Sequence, residues 1–300
     1  MADQQRQAEA SPDEDASASI DAAFVAVLEH APPRAAAFIV TLYGDVAAPR
    51  GGELWMGNVI DACSERGISE TLVRTAVSRL AAAGQLVGER VGRRSHYRLT
   101  PAARAEFAAA AAILFSSAAP PKHWLLVRPR EGMGEEELRR AGWAALGGGL
   151  FVASERPDIR APSGLLMRCE TIASIDDLPA FAAERWPLGE HDAAYRGFIA
   201  RFAPLELTLA QGAGLSGGRA LALRLALVHE FRAVVLRDPR LPAAALPADW
   251  PGREARALFA NLYRRLSGSA DAHIGRHFVS AEGALPAETP ETRRRLDALG

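Results

Sequence analysis

The chain has 300 residues, with 35 Lys+Arg against 36 Asp+Glu and a net charge of −1. With 49% hydrophobic and 24% charged residues it has ordinary globular composition, long enough for two or three domains. A wholly basic coat protein and an acidic solvating chain are excluded, and any affinity for nucleic acid must come from local clustering of charge.

Residues 1 to about 19 are polar and acidic and are expected to be disordered. Five acids there face one arginine with no apolar core, unlike a signal or transit peptide. No apolar run approaches the length of about 18 residues that a membrane span needs. Cys63 and Cys169, the only cysteines, form neither a disulfide framework nor a zinc knuckle, so a cytoplasmic location away from membranes is expected. Lys122 is the only lysine, a skew that base composition explains.

Ile20 to His30 fits a short helix before Pro32-Pro33. Arg34 to Asp45 reads as a helix with Phe38, Ile39, Leu42 and Tyr43 at helical spacing. Glu53 to Glu65 reads as a second, with Leu54, Trp55, Val59, Ile60 and Cys63 on its apolar side. After the Gly67-Ile68-Ser69 turn, a third helix is predicted from Glu70 to Ala83, with Ser69 as N-cap and Gly84 as its stop.

At 100° per residue, Leu72, Val73, Ala76, Val77 and Leu80 share one face of the third helix, and Thr71, Arg74, Thr75 and Ser78 the other. Hydroxyls and a guanidinium without a carboxylate suit a major groove, where arginine forks onto guanine and Ser or Thr meets bases or phosphates. An ordinary solvated face usually mixes acids with bases. Leu86 to Arg90 and Ser95 to Leu99 around Val91-Gly92-Arg93-Arg94 read as a hairpin. From Ser69 to Arg104 seven arginines stand against two glutamates. Three helices and a basic hairpin follow the winged helix-turn-helix plan, with DNA-binding candidates Ser69, Thr71, Arg74, Thr75, Ser78, Arg79, Arg90, Arg93, Arg94 and Arg98.

Alanine-rich helix from Pro101 to about Ser117 connects to three apolar runs, HWLLV, GLFVAS and LLMRCE, with a charged helical stretch (EEELRRAGWAAL) between the first two. Helical pattern resumes from Asp176 to Trp186. This order suggests a small ferredoxin-like α+β unit. Helices are then predicted over Tyr195 to Ala210, Arg219 to Arg232 and Gly252 to Leu266. The fold class is therefore α+β. The expected divisions are a tail at 1–31, a winged helix with connector at 32–118, a ferredoxin-like dimerisation or linker unit at 119–190, a mainly helical domain at 191–280 and a tail at 281–300.

The stretch TLYGDVAAPRGGELWMGNVI…GISETLVRTAVSRLAAAGQLVGERVGRRSHYRLT resembles the amino-terminal signature of the PaaX family, bacterial repressors of aromatic-acid catabolism named for phenylacetate degradation. LVHEFR (227–232), LRDPRLP (236–242), DWPG (249–252) and Leu262-Tyr263-Arg264 resemble its carboxy-terminal blocks, so the likeness spans roughly residues 36 to 266. It implies a homodimeric repressor of double-stranded DNA with a Cas2-like middle domain, released by an acyl-coenzyme A thioester such as phenylacetyl-CoA. Such an effector needs guanidinium groups, an aromatic surface and an apolar slot, for which Arg224, His229, Arg232, Arg237, Trp250 and Tyr263 are candidates, with Phe259 as a further wall.

A different class stays open. Gly212-Ala213-Gly214-Leu215-Ser216-Gly217 is a formal dinucleotide fingerprint after the apolar LELTLA, with Val234-Val235-Leu236 and Asp238 about 20 residues on. It would make a nucleotide- or NAD-dependent enzyme; a glycine loop joining two helices is the simpler reading. His229-Glu230 resembles the start of a zincin site, but Ala233 stands where the second histidine is needed, so no metal site is expected. A Cas2-like nuclease wants an acid at the end of its first strand, where Arg128-Pro129 stands. No serine or cysteine carries an activated-nucleophile motif, and a non-enzymatic regulator without a cofactor is expected.

Overall fold

The computed structural model describes residues 12–29, 31–116, 120–130, 134–211 and 215–300. Its amino-terminal part comprises α1 (Pro12–Leu28), α2 (Ala35–Leu42), β1 (Glu53–Trp55), α3 (Met56–Ser64), α4 (Glu70–Ala82), β2 (Leu86–Val91), β3 (Arg94–Leu99) and α5 (Pro101–Leu114). α1 begins inside the stretch read as an unstructured tail, and its Ile20, Ala23 and Val27 are buried.

The chain leaves α2 through a π-helical turn (Tyr43–Ala47) and a 3-10 turn (Ala48–Arg50). Gly51 and Gly52 then take positive φ and turn it into β1. The sequence pattern placed Glu53-Leu54-Trp55 in a helix; they instead pair antiparallel with β3, Leu54 opposite Tyr97 and Trp55 opposite His96. β2 and β3 form the hairpin around Gly92-Arg93, with Val91 opposite Arg94 and Gly92 at positive φ.

α4 has the expected bounds, closed by a Schellman motif. Gly84 takes φ 72°, its N–H reaches the carbonyl of Ala81 and that of Gln85 the carbonyl of Leu80. Ser69 has the extended backbone of an N-cap but its side chain makes no capping bond. Thr100 caps α5, accepting from the Ala103 N–H at 3.2 Å, while its hydroxyl donates to the Gly84 carbonyl at 2.7 Å. The end of α4 and the start of α5 are thereby tied together.

The middle part holds β4 (Trp124–Pro129), α6 (Glu135–Arg140), β5 (Ala144–Gly147), β6 (Leu150–Ser154), β7 (Gly164–Cys169) and α7 (Leu178–Arg185). Ala144–Gly147, assigned from sequence to the charged helix, is an edge strand paired with β6. The sheet order is β5-β6-β4-β7, every neighbouring pair antiparallel, so β4 and β5 run parallel with α6 between them. One apolar cluster contains Trp124, Trp186 and Ala182 with Leu241 and Ala245, another Leu125, Val127, Leu138 and Trp143.

The carboxy-terminal part contains α8 (Leu188–Ala210), α9 (Gly217–Val235), α10 (Gly252–His277), β8 (Val279–Ser280), β9 (Gly283–Ala284) and α11 (Pro290–Ala298). LELTLA lies within α8, and Val234-Val235 ends α9, so the strands a dinucleotide fingerprint requires are helices. Residues 212–214 of that loop lie outside the described residues. No helix among the described residues is long and apolar enough to cross a membrane.

Helices α8 to α10 share one continuous apolar core with α1 to α5. A buried ion network bolts the two parts together. Arg224 on α9 donates to Asp45 in the π turn at 2.9 Å and to Asp271 on α10 at 2.7 Å. Arg50 donates to Asp271 at 2.8 Å, and the Tyr263 hydroxyl to Asp45 at 2.9 Å. Burial acts against the charge of Arg224, but Asp45, Tyr263 and Asp271 outweigh it and raise its pKa.

The last residues, read as a tail, close over the same region. α11 carries a capping box at Thr289, whose hydroxyl also donates to the Pro49 carbonyl. Arg295 donates to the Gly44 carbonyl, and Arg50 to the carbonyls of Pro286 and Ala287.

Candidate nucleic-acid interface

α4 buries Val73, Ala76 and Val77 against the helices beneath it. Ser69, Thr71, Arg74, Thr75, Ser78 and Arg79 are all exposed, on its outer side and flanks. Leu72, assigned from its spacing to the buried face, is 56% exposed. It lies in the first turn of α4, next to the outward Thr71.

Two of these groups are held locally. Arg74 donates to Glu70 at 2.8 Å one turn before it, both side chains largely solvated, and the Thr75 hydroxyl donates back to the Thr71 carbonyl at 2.8 Å. Arg79 has no carboxylate partner among the described residues.

The hairpin presents its arginines in three directions. Alternation along the ladder puts Arg94 and Arg98 on one face with His96, and Arg90 on the other, while Arg93 sits in the turn; all four arginines are exposed. The Arg94 guanidinium lies 4.7 Å from the centroid of the Trp55 ring, a cation–π contact. That ring lies against Gly57, where a Cβ would fall 2.4 Å from it, so only glycine admits this platform. Glu53 on β1 sits 4.0 Å from Arg98 and 3.5 Å from the buried His96. Pairing Glu53 beneath the sheet leaves Glu70 and Glu89 as the carboxylates between Ser69 and Arg104.

Trp55 was not among the residues expected to meet DNA, because its apolar character pointed to a core. Its role follows from the β1–β3 pairing, which brings it opposite His96 and beside Arg94.

The six side chains expected to meet an effector have diverse surroundings. Arg224 is 1% exposed and Tyr263 is buried, both committed to Asp45, so neither reaches a ligand without dismantling the ion network. Trp250 packs edge-on against Tyr195, whose hydroxyl donates to Asp238 at 2.6 Å. Arg237 is exposed just beyond α9. Phe259 is buried in a stack with Phe231. His229 and Arg232 do come together: the His229 Nδ1 is 2.9 Å from the Thr41 hydroxyl, and Arg232 Nη1 donates to that hydroxyl at 3.1 Å and to the Ala37 carbonyl at 3.2 Å. Burial holds the His229 imidazole below its ordinary pKa. Among the described residues no cluster of His, Cys, Asp or Glu has the makings of a metal site.

A family model described as PaaX-like protein matches residues 34–103, and one described as PaaX-like protein C-terminal domain matches residues 186–276. The transcriptional repressor PaaX of Escherichia coli (strain K12) is 33% identical over 284 residues, covering 85% of this chain and 88% of the repressor. A solved structure, the uncharacterized protein Rv0674 from Mycobacterium tuberculosis, covers 72% of this chain and 89% of its own at 22% identity, with a TM-score of 0.44. That likeness is too distant to carry an argument.

Proposed function

The chain belongs to the PaaX-like family, and from that premise we propose that it is a DNA-binding transcriptional repressor and not an enzyme. Residues 32–118 act as a winged helix: α4 enters the major groove and reads bases through Arg74, Thr75 and Ser78, while the hairpin lays Arg90, Arg93, Arg94 and Arg98 against phosphates or the adjacent minor groove. One observation carries this reading. All ten side chains picked out for DNA are exposed, in a stretch with a surplus of arginine inside a chain whose net charge is −1.

Residues 119–190 serve as a ferredoxin-like, Cas2-like unit through which two copies pair. Support comes from β7, an edge strand whose Leu165, Leu166 and Met167 are exposed on both of its faces. A two-fold dimer brings two reading heads to a pseudo-palindromic operator. Residues 191–280 belong to the effector-responsive part, and the effector is an acyl-coenzyme A thioester such as phenylacetyl-CoA, relieving repression of an aromatic-acid catabolic operon in the cytoplasm.

Fluorescence anisotropy with a duplex from the region upstream of its own gene, measured between 50 and 200 mM salt, tests the central point. Tight binding that weakens steeply with salt is expected, at least about a hundredfold tighter than on random DNA. Salt-insensitive or absent binding on every duplex overturns the proposal.

A further inference from the structure

A cavity of about 240 Å³ opens where α2, α5 and α9 meet. Its walls are mainly apolar, from Val40, Phe107, Ala111, Leu114, Phe115 and Val228. Its polar groups differ in how they are engaged. Asp45 is saturated by Arg224 and Tyr263, and Glu106 is exposed at the rim. Arg232 is half-buried, has no carboxylate partner among the described residues, and bonds through Nη1 alone. A desolvated guanidinium facing an apolar slot lacks the acceptor that normally offsets its burial.

The cavity also touches the root of the reading head. Gln85, in its wall, is the residue that joins α4 to β2, and Gly44 and Asp45 belong to the π turn, a rare geometry found mostly at functional positions. Tyr43, in the same turn, donates its hydroxyl to the Tyr97 carbonyl on β3 at 2.9 Å. Val40, Gln85 and Phe107 separate the cavity from a small void of about 10 Å³ lined also by Leu80 of α4, Leu86 of β2 and Leu99 of β3.

We infer that this cavity takes the acyl group of the regulatory ligand, its carbonyl or carboxylate end on Arg232 and its apolar body between α2 and α5. A ligand there displaces the shared walls Gln85 and Phe107 into the small void and so changes the angle between α4 and the hairpin. Seating the ligand more tightly in the altered state is what releases DNA. The inference rests on the repressor reading for its consequence but not for its binding step.

The test uses full-length protein and two probes, phenylacetate and phenylacetyl-CoA, titrated by calorimetry without DNA and by anisotropy with it. Wild type is expected to bind one or both saturably; which one separates a free acid from a thioester as the source of the acyl group. Ala111→Trp fills the slot and abolishes binding, while Arg232→Gln weakens it roughly tenfold to a hundredfold, the effect of losing a hydrogen bond to a charged group. Both variants are expected to keep wild-type DNA affinity and to resist release. If Ala111→Trp fails to fold by circular dichroism, Arg232→Gln decides alone. No saturable binding of either probe at millimolar concentration, or affinity unchanged by the variants, overturns the inference. Ligand binding without any DNA affinity sinks the repressor reading and leaves the ligand site standing.

Discussion

The carboxylate of Asp45 and the guanidinium of Arg224 meet at 2.9 Å across 179 residues of chain, both shielded from solvent. Breaking such a pair strands a buried charge, so Asp45→Asn is expected to cost about 3–5 kcal/mol and lower the melting temperature by roughly 5–15 °C. The exposed Arg139–Glu135 pair on α6 is the control, worth under about 1 kcal/mol. Equal effects of the two in thermal denaturation would show that the network carries no special weight.

In the hairpin, Arg93→Ala combined with Arg94→Ala is expected to weaken binding to all sequences alike. The slope of log K against log salt should flatten by up to about 2, in proportion to the phosphates that the two arginines neutralise. Stability should stay within about 0.5 kcal/mol of wild type, because both side chains are exposed. A loss confined to one operator would move these residues from phosphate to base contact.

Arg74→Ala is expected to cost roughly 1–3 kcal/mol on the true operator and less on random DNA. Equal losses on both would remove α4 from base reading. Glu70→Gln gives the opposite sign: it frees Arg74 from a solvated pair and removes a negative charge, so affinity rises with little change in melting temperature.

Replacing Leu165 and Met167 on β7 with lysine is expected to yield a folded monomer, read by sedimentation velocity at concentrations where wild type is a dimer. Persistence of the dimer would place its interface elsewhere.

Acid sensitivity should trace partly to His229. Its imidazole contacts Phe38 and Thr41, burial depresses its pKa below 6.5, Arg232, Arg66 and Arg201 add to that, and Glu230 opposes it. The unfolded chain therefore binds the proton more readily, and stability falls as pH drops below about 6.5 toward the folded-state pKa. His229→Gln should narrow the difference in melting temperature between pH 7.5 and pH 5.5. An unchanged difference would assign the acid sensitivity to other groups, such as His273, whose pKa burial also lowers.

α4 was legible because its pattern is local: three apolar residues at helical spacing, and a glycine that closes a Schellman motif. Leu72 was misplaced because angle alone does not say where the first turn of a helix outruns its support. Glu53–Trp55 looked helical because a three-residue strand has no period of its own; only its partner β3, over forty residues on, makes it one. Arg224 and Tyr263 looked available because arginines and aromatics on a helix are mostly solvated or apolar. Asp45 and Asp271, which claim them, come from other segments. Arg232 was found without the cavity that gives it meaning, since the walls come from α2, α5 and α9.

The closure of α11 onto the π turn sets an order of events during synthesis. Gly44 leaves the ribosome 251 residues before Arg295, which donates to its carbonyl. At bacterial and eukaryotic elongation rates that interval lasts roughly 13–50 s. The DNA-reading end is thus the first made and among the last completed, and a nascent repressor still tethered beside its own gene lacks the final brace of the head that would grip it.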